Sequence, residues 1–209
     1  MGCSNSVDVI ANSEAEAERG SGKVTLEYFN AHGRAAHIYL ALCYAGVDFE
    51  HCAVSIPGGF IKRKVCGPLK YGTLPKLKTE SGTLLHQSES LLRYVGARWK
   101  GKEGECLYPA ADQPLCRFWV DVCLARGNDY IGKSAFAFLA PLADGHKKFA
   151  ENSAIWMRDG GPLDQELCFM EEVWEANGCK KYLVGDCVSL ADFVYIAQYW
   201  KTGCNCLVP

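Results

Sequence analysis

Tyr71-Gly72-Thr73-Leu74-Pro75-Lys76-Leu77-Lys78, then Ser81-Gly82-Thr83-Leu84-Leu85-His86-Gln87-Ser88-Glu89-Ser90, is the stretch whose reading decides the fold. Proline lacks an N–H, so Pro75 belongs at the first position of a strand or on a sheet edge. A cis Leu74–Pro75 bond would turn the chain tightly and leave the Leu74 backbone N–H and C=O facing outward. Ser81-Gly82 is a turn signal, and Thr83-Leu84-Leu85 reads as a short strand. Gln87 and Ser88 open a helix that runs from Glu89 to about Arg98. Polar residues at a helix start meet unpaired N–H groups and the positive end of the dipole, which suits a carboxylate. One hairpin thus offers an amide-pairing edge beside an anion site.

Upstream, Lys23 to Phe29 alternates, with Val24, Leu26 and Tyr28 on one side, and reads as a strand. His32-Gly33-Arg34 is a turn. Ala35 to Ala45 carries Ile38, Leu42 and Ala45 at helical spacing, and Gly46 signals the helix end. Asp48 to Val54 alternates again. Strand, helix, strand is a βαβ unit with parallel strands and a right-handed crossover. Ile56-Pro57-Gly58-Gly59 breaks the chain, and Phe60 to Lys70 is a loop or irregular helix. Two strands from this unit and two from the hairpin make a small mixed sheet in the order of the thioredoxin-like fold.

Downstream, Lys100-Gly101-Lys102-Glu103-Gly104-Glu105 is a polar linker. From Pro114 the strand pattern stops. Leu115, Phe118, Trp119, Val122 and Cys123 recur at helical spacing, as do Leu163, Leu167, Met170, Val173 and Trp174. The fold class is therefore α/β plus all-α: a thioredoxin-like domain with a mixed four-stranded sheet, followed by a helical domain. The expected division is a tail at 1–22, the thioredoxin-like domain at 23–99, a linker at 100–111 and the helical domain at 112–209. Ser189 at an N-cap with Asp192 three residues on is a variant capping box, opening a helix that runs to about Lys201.

Of 209 residues, 49% are hydrophobic and 22% charged, with net charge −2, so no basic field favours nucleic acid. No apolar run reaches the 18 or so residues of a membrane span. The 12 cysteines form no C-x-x-C pair and no zinc-spaced cluster. They read as reduced cytoplasmic thiols, mostly small core residues, and no metal site is expected. Met1-Gly2-Cys3-Ser4-Asn5-Ser6 fits N-myristoylation at Gly2, with Cys3 open to palmitoylation. Two chains would hold the protein at the cytoplasmic face of a membrane, where one holds only marginally. A plain disordered tail begins the same way, and residues 7–22 carry too little apolar surface to order themselves.

The segment Leu26-Glu27-Tyr28-Phe29-Asn30-Ala31-His32-Gly33-Arg34-Ala35, then Gly72-Thr73-Leu74-Pro75, then His86-Gln87-Ser88, resembles the cytosolic glutathione transferases. The resemblance is to the sigma class, which includes glutathione-dependent prostaglandin D synthases, and covers roughly Lys23 to Phe193. It implies glutathione as co-substrate, with no metal. Tyr28 would donate its hydroxyl to the thiolate, and Arg34 would polarise Tyr28. Gln87 and Ser88 would hold the γ-glutamyl end, and the Leu74 backbone the cysteinyl amide. Phe60 and Lys64 would flank the glycine end, and Asp129 would reach glutathione across a homodimer. A small hydrophobic second substrate, an electrophile or a prostanoid-like endoperoxide, would sit against the helical domain. Read alone, Tyr28 is an aromatic packed at a strand end and Asp129 a solvated helix charge, while Arg34 is as readily a surface arginine, and Ser88 can be a plain cap and a ligand contact at once. Thr73 stands where this family often has lysine, and the chain stops where members add further helices. Both departures favour the alternative, a non-catalytic membrane-tethered module of the same fold.

Overall fold

In the computed structural model the described residues are 22–31, 33–55, 73–139 and 146–205. Gly2, Cys3, Phe60 and Lys64 lie outside them. Strand β1 is Val24–Phe29, where Val24, Leu26 and Tyr28 are buried on one face. A short 3-10 turn, Gly33–Ala35, leads into helix α1, Ala36–Tyr44. Strand β2, Phe49–Val54, returns parallel to β1 with Leu26 opposite His51. Strand β3, Lys76–Lys78, runs antiparallel to β1 with Leu26 opposite Leu77, and strand β4, Leu84–His86, pairs antiparallel with β3. The order β2-β1-β3-β4 is the mixed four-stranded sheet that the sequence predicts. Helix α2, Ser88–Arg98, follows β4 directly.

Among the described residues, the second half has four helices: α3, Pro114–Leu139; α4, His146–Met157; α5, Pro162–Ala176; and α6, Leu190–Asn205. Helix α6 runs past Lys201, where the sequence pattern ends it. It packs against both α1 and α3. One apolar core joins the halves: Leu26, Ile38, Leu42, Leu91 and Val95 are contiguous with Val120, Leu124, Leu190 and Phe193. Gly127 on α3 makes the close approach to α6 possible, because a Cβ there would strike Val194 and Gln198. No helix among the described residues is long and apolar enough to cross a membrane.

One expectation about burial is corrected, that the cysteines are mostly core residues. Eight cysteines whose side chains are described are free, and of these only Cys123 is buried, while Cys43, Cys106, Cys168, Cys179 and Cys187 are exposed. Most of these sit where the chain turns, at the end of α1, in the linker and in the segments before α6, and turns run over the surface. Leu115, Phe118 and Trp119 do lie on a helix, yet they are 68%, 56% and 36% exposed. Helical periodicity marks an apolar face, but it does not say that this chain covers it.

Candidate active site

The site grows from the carboxyl end of β1. Alternation turns Tyr28 toward the helices, where it is 7% exposed. The chain then doubles back through the 3-10 turn, and the Arg34 backbone N–H donates to the Tyr28 hydroxyl at 2.9 Å. Gly33 sits directly against that hydroxyl. Its φ is +34°, and a Cβ would strike the phenol oxygen. Burial pushes the Tyr28 hydroxyl above its ordinary range, while the Arg34 N–H and the Arg34 charge pull it back. The phenol thus keeps its proton at neutral pH. Among the described residues its oxygen accepts one hydrogen bond, and the hydroxyl hydrogen is left without an acceptor.

The guanidinium of Arg34 turns away from the phenol and donates to Asn128 Oδ1 on α3. The sequence reading missed Asn128. A neutral residue 94 positions from its partner carries no local signal. At the second residue of α1, His37 is 4% exposed, and among the described residues its Nδ1 has no hydrogen-bond partner. Burial, then the Arg34 charge, lowers its pKa from 6.5 to about 4.

The sheet register brings Leu74, Gln87 and Ser88 to the same end. Glu27, Lys76 and His86 stand opposite one another across β1, β3 and β4. The neighbours of this row are therefore close: Tyr28 follows Glu27, Leu74 and Pro75 precede Lys76, and Gln87 follows His86. The Leu74–Pro75 bond is cis. Gln87 holds φ 72°, ψ 112° at the N-cap of α2 with no side-chain cap bond, and it is exposed. A non-glycine residue there costs on the order of 1–3 kcal/mol, and such strain collects at ligand clamps. Ser88, the first residue of α2, is buried.

Asp129 is placed elsewhere. It is exposed on α3, and its charge bears on Glu166 of α5, which pairs with Arg126 at 3.1 Å. Within one chain it does not join the Tyr28 group. Ser189 and Asp192 are also distant in role. Asp192 Oδ2 accepts from the Ser189 N–H at 2.8 Å and from Ser189 Oγ at 3.0 Å, and Oδ1 accepts from the Leu183 N–H at 3.0 Å. The carboxylate ties the start of α6 to the preceding loop.

A cavity of about 410 Å³ opens beside the phenol. Leu26, Tyr28, Ala35 and Ala36 form part of its wall, Ala197 of α6 another part, with Tyr39 and His51 also lining it. Its size lies within the range of small-molecule pockets, and its lining is mainly apolar. The described residues include no group of three or more His, Cys, Asp or Glu placed to hold a metal.

These features define a thioredoxin-like sheet with a helical partner and a phenol-bearing edge at the sheet's end. Glutathione S-transferase A1 of Bos taurus is 34% identical to this chain over 174 residues, 82% of the chain and 70% of the relative. The chain belongs to the glutathione S-transferase family, a family of enzymes that use glutathione as co-substrate. No family model matches it. The relatives carry alpha-class names, so the sigma-class part of the resemblance is not what the sequence comparison returns. Among solved structures, the glutathione S-transferase of Ascaris lumbricoides superposes with TM-score 0.65 at 24% identity, covering 86% of this chain and 82% of its own. Prostaglandin synthase D of Nilaparvata lugens superposes with TM-score 0.62 at 19% identity, covering 88% and 83%. At these identities the structures support the fold alone.

Proposed function

We propose that this chain binds glutathione along the edge formed by Tyr28, Leu74, Gln87 and Ser88, and that Tyr28 donates a hydrogen bond to the glutathione thiolate. The thiolate then attacks an apolar electrophile held in the adjoining cavity. The observation that carries this reading is the Arg34 N–H on the Tyr28 oxygen: it fixes the phenol and leaves its hydrogen to give away. A free thiol titrates near ~8.5, and each pH unit of depression requires about 1.4 kcal/mol of preferential stabilisation of the anion. About two such units make the thiol largely ionised at neutral pH. Arg34 adds positive charge at the same place. Phe60 and Lys64 at the glycine end, and Asp129 across a dimer, belong to the same proposal on sequence alone.

The chemistry divides over residues 23–99, which bind glutathione, and 112–209, which contribute the cavity wall at Ala197. Isomerisation of an endoperoxide would run through the same thiolate and differs only in its product. Turnover of a generic aryl halide with glutathione, measured beside glutathione affinity, tests the reading. A folded sample that fails to bind millimolar glutathione overturns it. One that binds without turnover favours the non-catalytic module.

A homodimer fits the exposed row Leu115, Phe118 and Trp119, where the last two rings meet edge-on. Three large apolar residues on one face of a helix make the kind of patch that another protein covers. Phe118→Glu should turn a dimer into a monomer, read by light scattering. Acylation at Gly2 and Cys3, with a cytoplasmic membrane tether, rests on the Gly-Cys-x-x-Ser pattern. Intact mass of protein expressed in a eukaryotic cell tests it.

A further inference from the structure

Glu27 and Lys76 form an ion pair inside the protein, with side chains 9% and 7% exposed. They are direct cross-strand partners on β1 and β3, and they project from the face opposite Leu26 and Leu77. Burying two charges is costly, and replacing such a pair by apolar residues of similar size is often neutral or stabilising. Stability therefore does not explain this pair. The best-attested use of a buried polar contact is to fix register.

Register is what this sheet needs at this point. Strand β3 has only three residues and meets β1 through three pairs: Thr25 with Lys78, Leu26 with Leu77, and Glu27 with Lys76. Glu27 with Lys76 is the last pair before the site. Beyond it on β1 comes Tyr28, and beyond it on β3 come Pro75 and Leu74. In the glutathione reading, on which this inference rests, both strands address one residue of the ligand. Tyr28 meets the cysteinyl sulfur, and the Leu74 backbone meets the cysteinyl amide. A slide of β3 along β1 would spoil one contact while keeping the other. A one-residue slip would also turn Lys76 toward the apolar core, which the charge forbids. An apolar pair in the same place would tolerate small slides without penalty.

We infer that Glu27 and Lys76 are a positioning pair that pins β3 to β1, so that the Leu74 amide edge and the Tyr28 hydroxyl engage the cysteinyl unit of glutathione together. The pair touches no substrate. It acts through the strand ends that do.

The test uses the full chain with aryl halide and glutathione, reading KM for each substrate, kcat and melting temperature. In the double variant Glu27→Leu with Lys76→Met, the melting temperature stays at or above that of the wild type. Its glutathione KM rises about tenfold or more, because a misplacement of about 1 Å can cost on the order of 10²-fold. The aryl halide KM stays near the wild-type value. Lys76→Arg keeps the charge pair and keeps the glutathione KM within about threefold, since the guanidinium can still meet the carboxylate. A double variant with unchanged glutathione KM and kcat overturns the inference. A double variant whose melting temperature and activity fall together also overturns it, by making the pair a plain stability element. If the wild type itself fails to bind glutathione, the functional reading falls first and takes this inference with it. The two failures are therefore separable.

Discussion

Arg34 serves Tyr28 with its backbone and Asn128 with its side chain: the amide donates to the phenol at 2.9 Å, and the guanidinium crosses to α3. The sequence-based expectation gave the polarising role to the Arg34 cation. The geometry gives the direct contact to its N–H, which no substitution at position 34 other than proline removes. The cation acts on the phenol through space, as the downward pull on the Tyr28 hydroxyl records.

The first prediction follows from that division. Tyr28→Phe should leave glutathione affinity within a few-fold and cut kcat, because in the proposed mechanism the hydroxyl's partner carries more charge in the reactive state than in the bound thiol. A donor aimed at developing charge is worth about 3 kcal/mol, or about 10²-fold in rate. Gly33→Ala should approach the same loss by displacing the phenol, since a Cβ has no room there. A Tyr28→Phe enzyme with full turnover near neutral pH would remove Tyr28 from the mechanism.

Asn128 should matter through Arg34. Asn128→Ala removes the oxygen that the guanidinium meets, and a hydrogen bond to a charged group contributes about 1.5–3 kcal/mol when buried. Both residues are only half-buried, so a loss near the lower figure is expected, with a several-fold drop in kcat as Arg34 loses its orientation. Asn128→Asp keeps the acceptor and adds a charge. It should retain both stability and turnover. Thermal melts and steady-state rates of the two variants decide the matter.

How much of this was legible in the chain depends on distance. The alternation of Val24, Leu26 and Tyr28 is a local pattern with one physical cause, a sheet with a buried face, and β1 forms where that pattern lies. Leu74-Pro75 and Gln87-Ser88 are local signals too, and the structure places both where the hairpin reading puts them. Asn128 and the Glu27–Lys76 pair were not legible. A charged residue in a strand reads as facing water until its partner is known, and partners on other strands are set by register. Leu115, Phe118 and Trp119 show the same limit from the other side, since an apolar stripe says only that a face wants covering.

His37 should make the fold sensitive to mild acid. Its folded pKa, about 4, lies below the ordinary 6.5, so the unfolded chain binds more protons between those values. Stability is then full above pH 6.5 and falls as pH drops toward 4, by on the order of 2–3 kcal/mol if burial acts in full. His37→Leu should flatten that part of the curve. Melting temperatures taken at several pH values between about 7 and 4 compare the two slopes. Equal slopes would assign the acid sensitivity to other groups.

The last prediction concerns the start of α6. Asp192 accepts three hydrogen bonds, from the Leu183 N–H, the Ser189 N–H and Ser189 Oγ. Ser189 is 3% exposed, and Leu190 and Ala191 beside it are fully buried. Removing the Ser189 hydroxyl leaves the carboxylate its two backbone donors, so Ser189→Ala should cost about 1 kcal/mol. Removing the carboxylate leaves two backbone N–H groups without an acceptor, and each buried orphan costs about 1–3 kcal/mol. Asp192→Ala should therefore destabilise more than Ser189→Ala, by roughly 2 kcal/mol or more. Asp192→Asn should fall between them, since its amide oxygen can still meet one donor. Denaturant unfolding of the three variants orders them. If Ser189→Ala proved the most damaging, the hydroxyl rather than the carboxylate would be the centre of this cap.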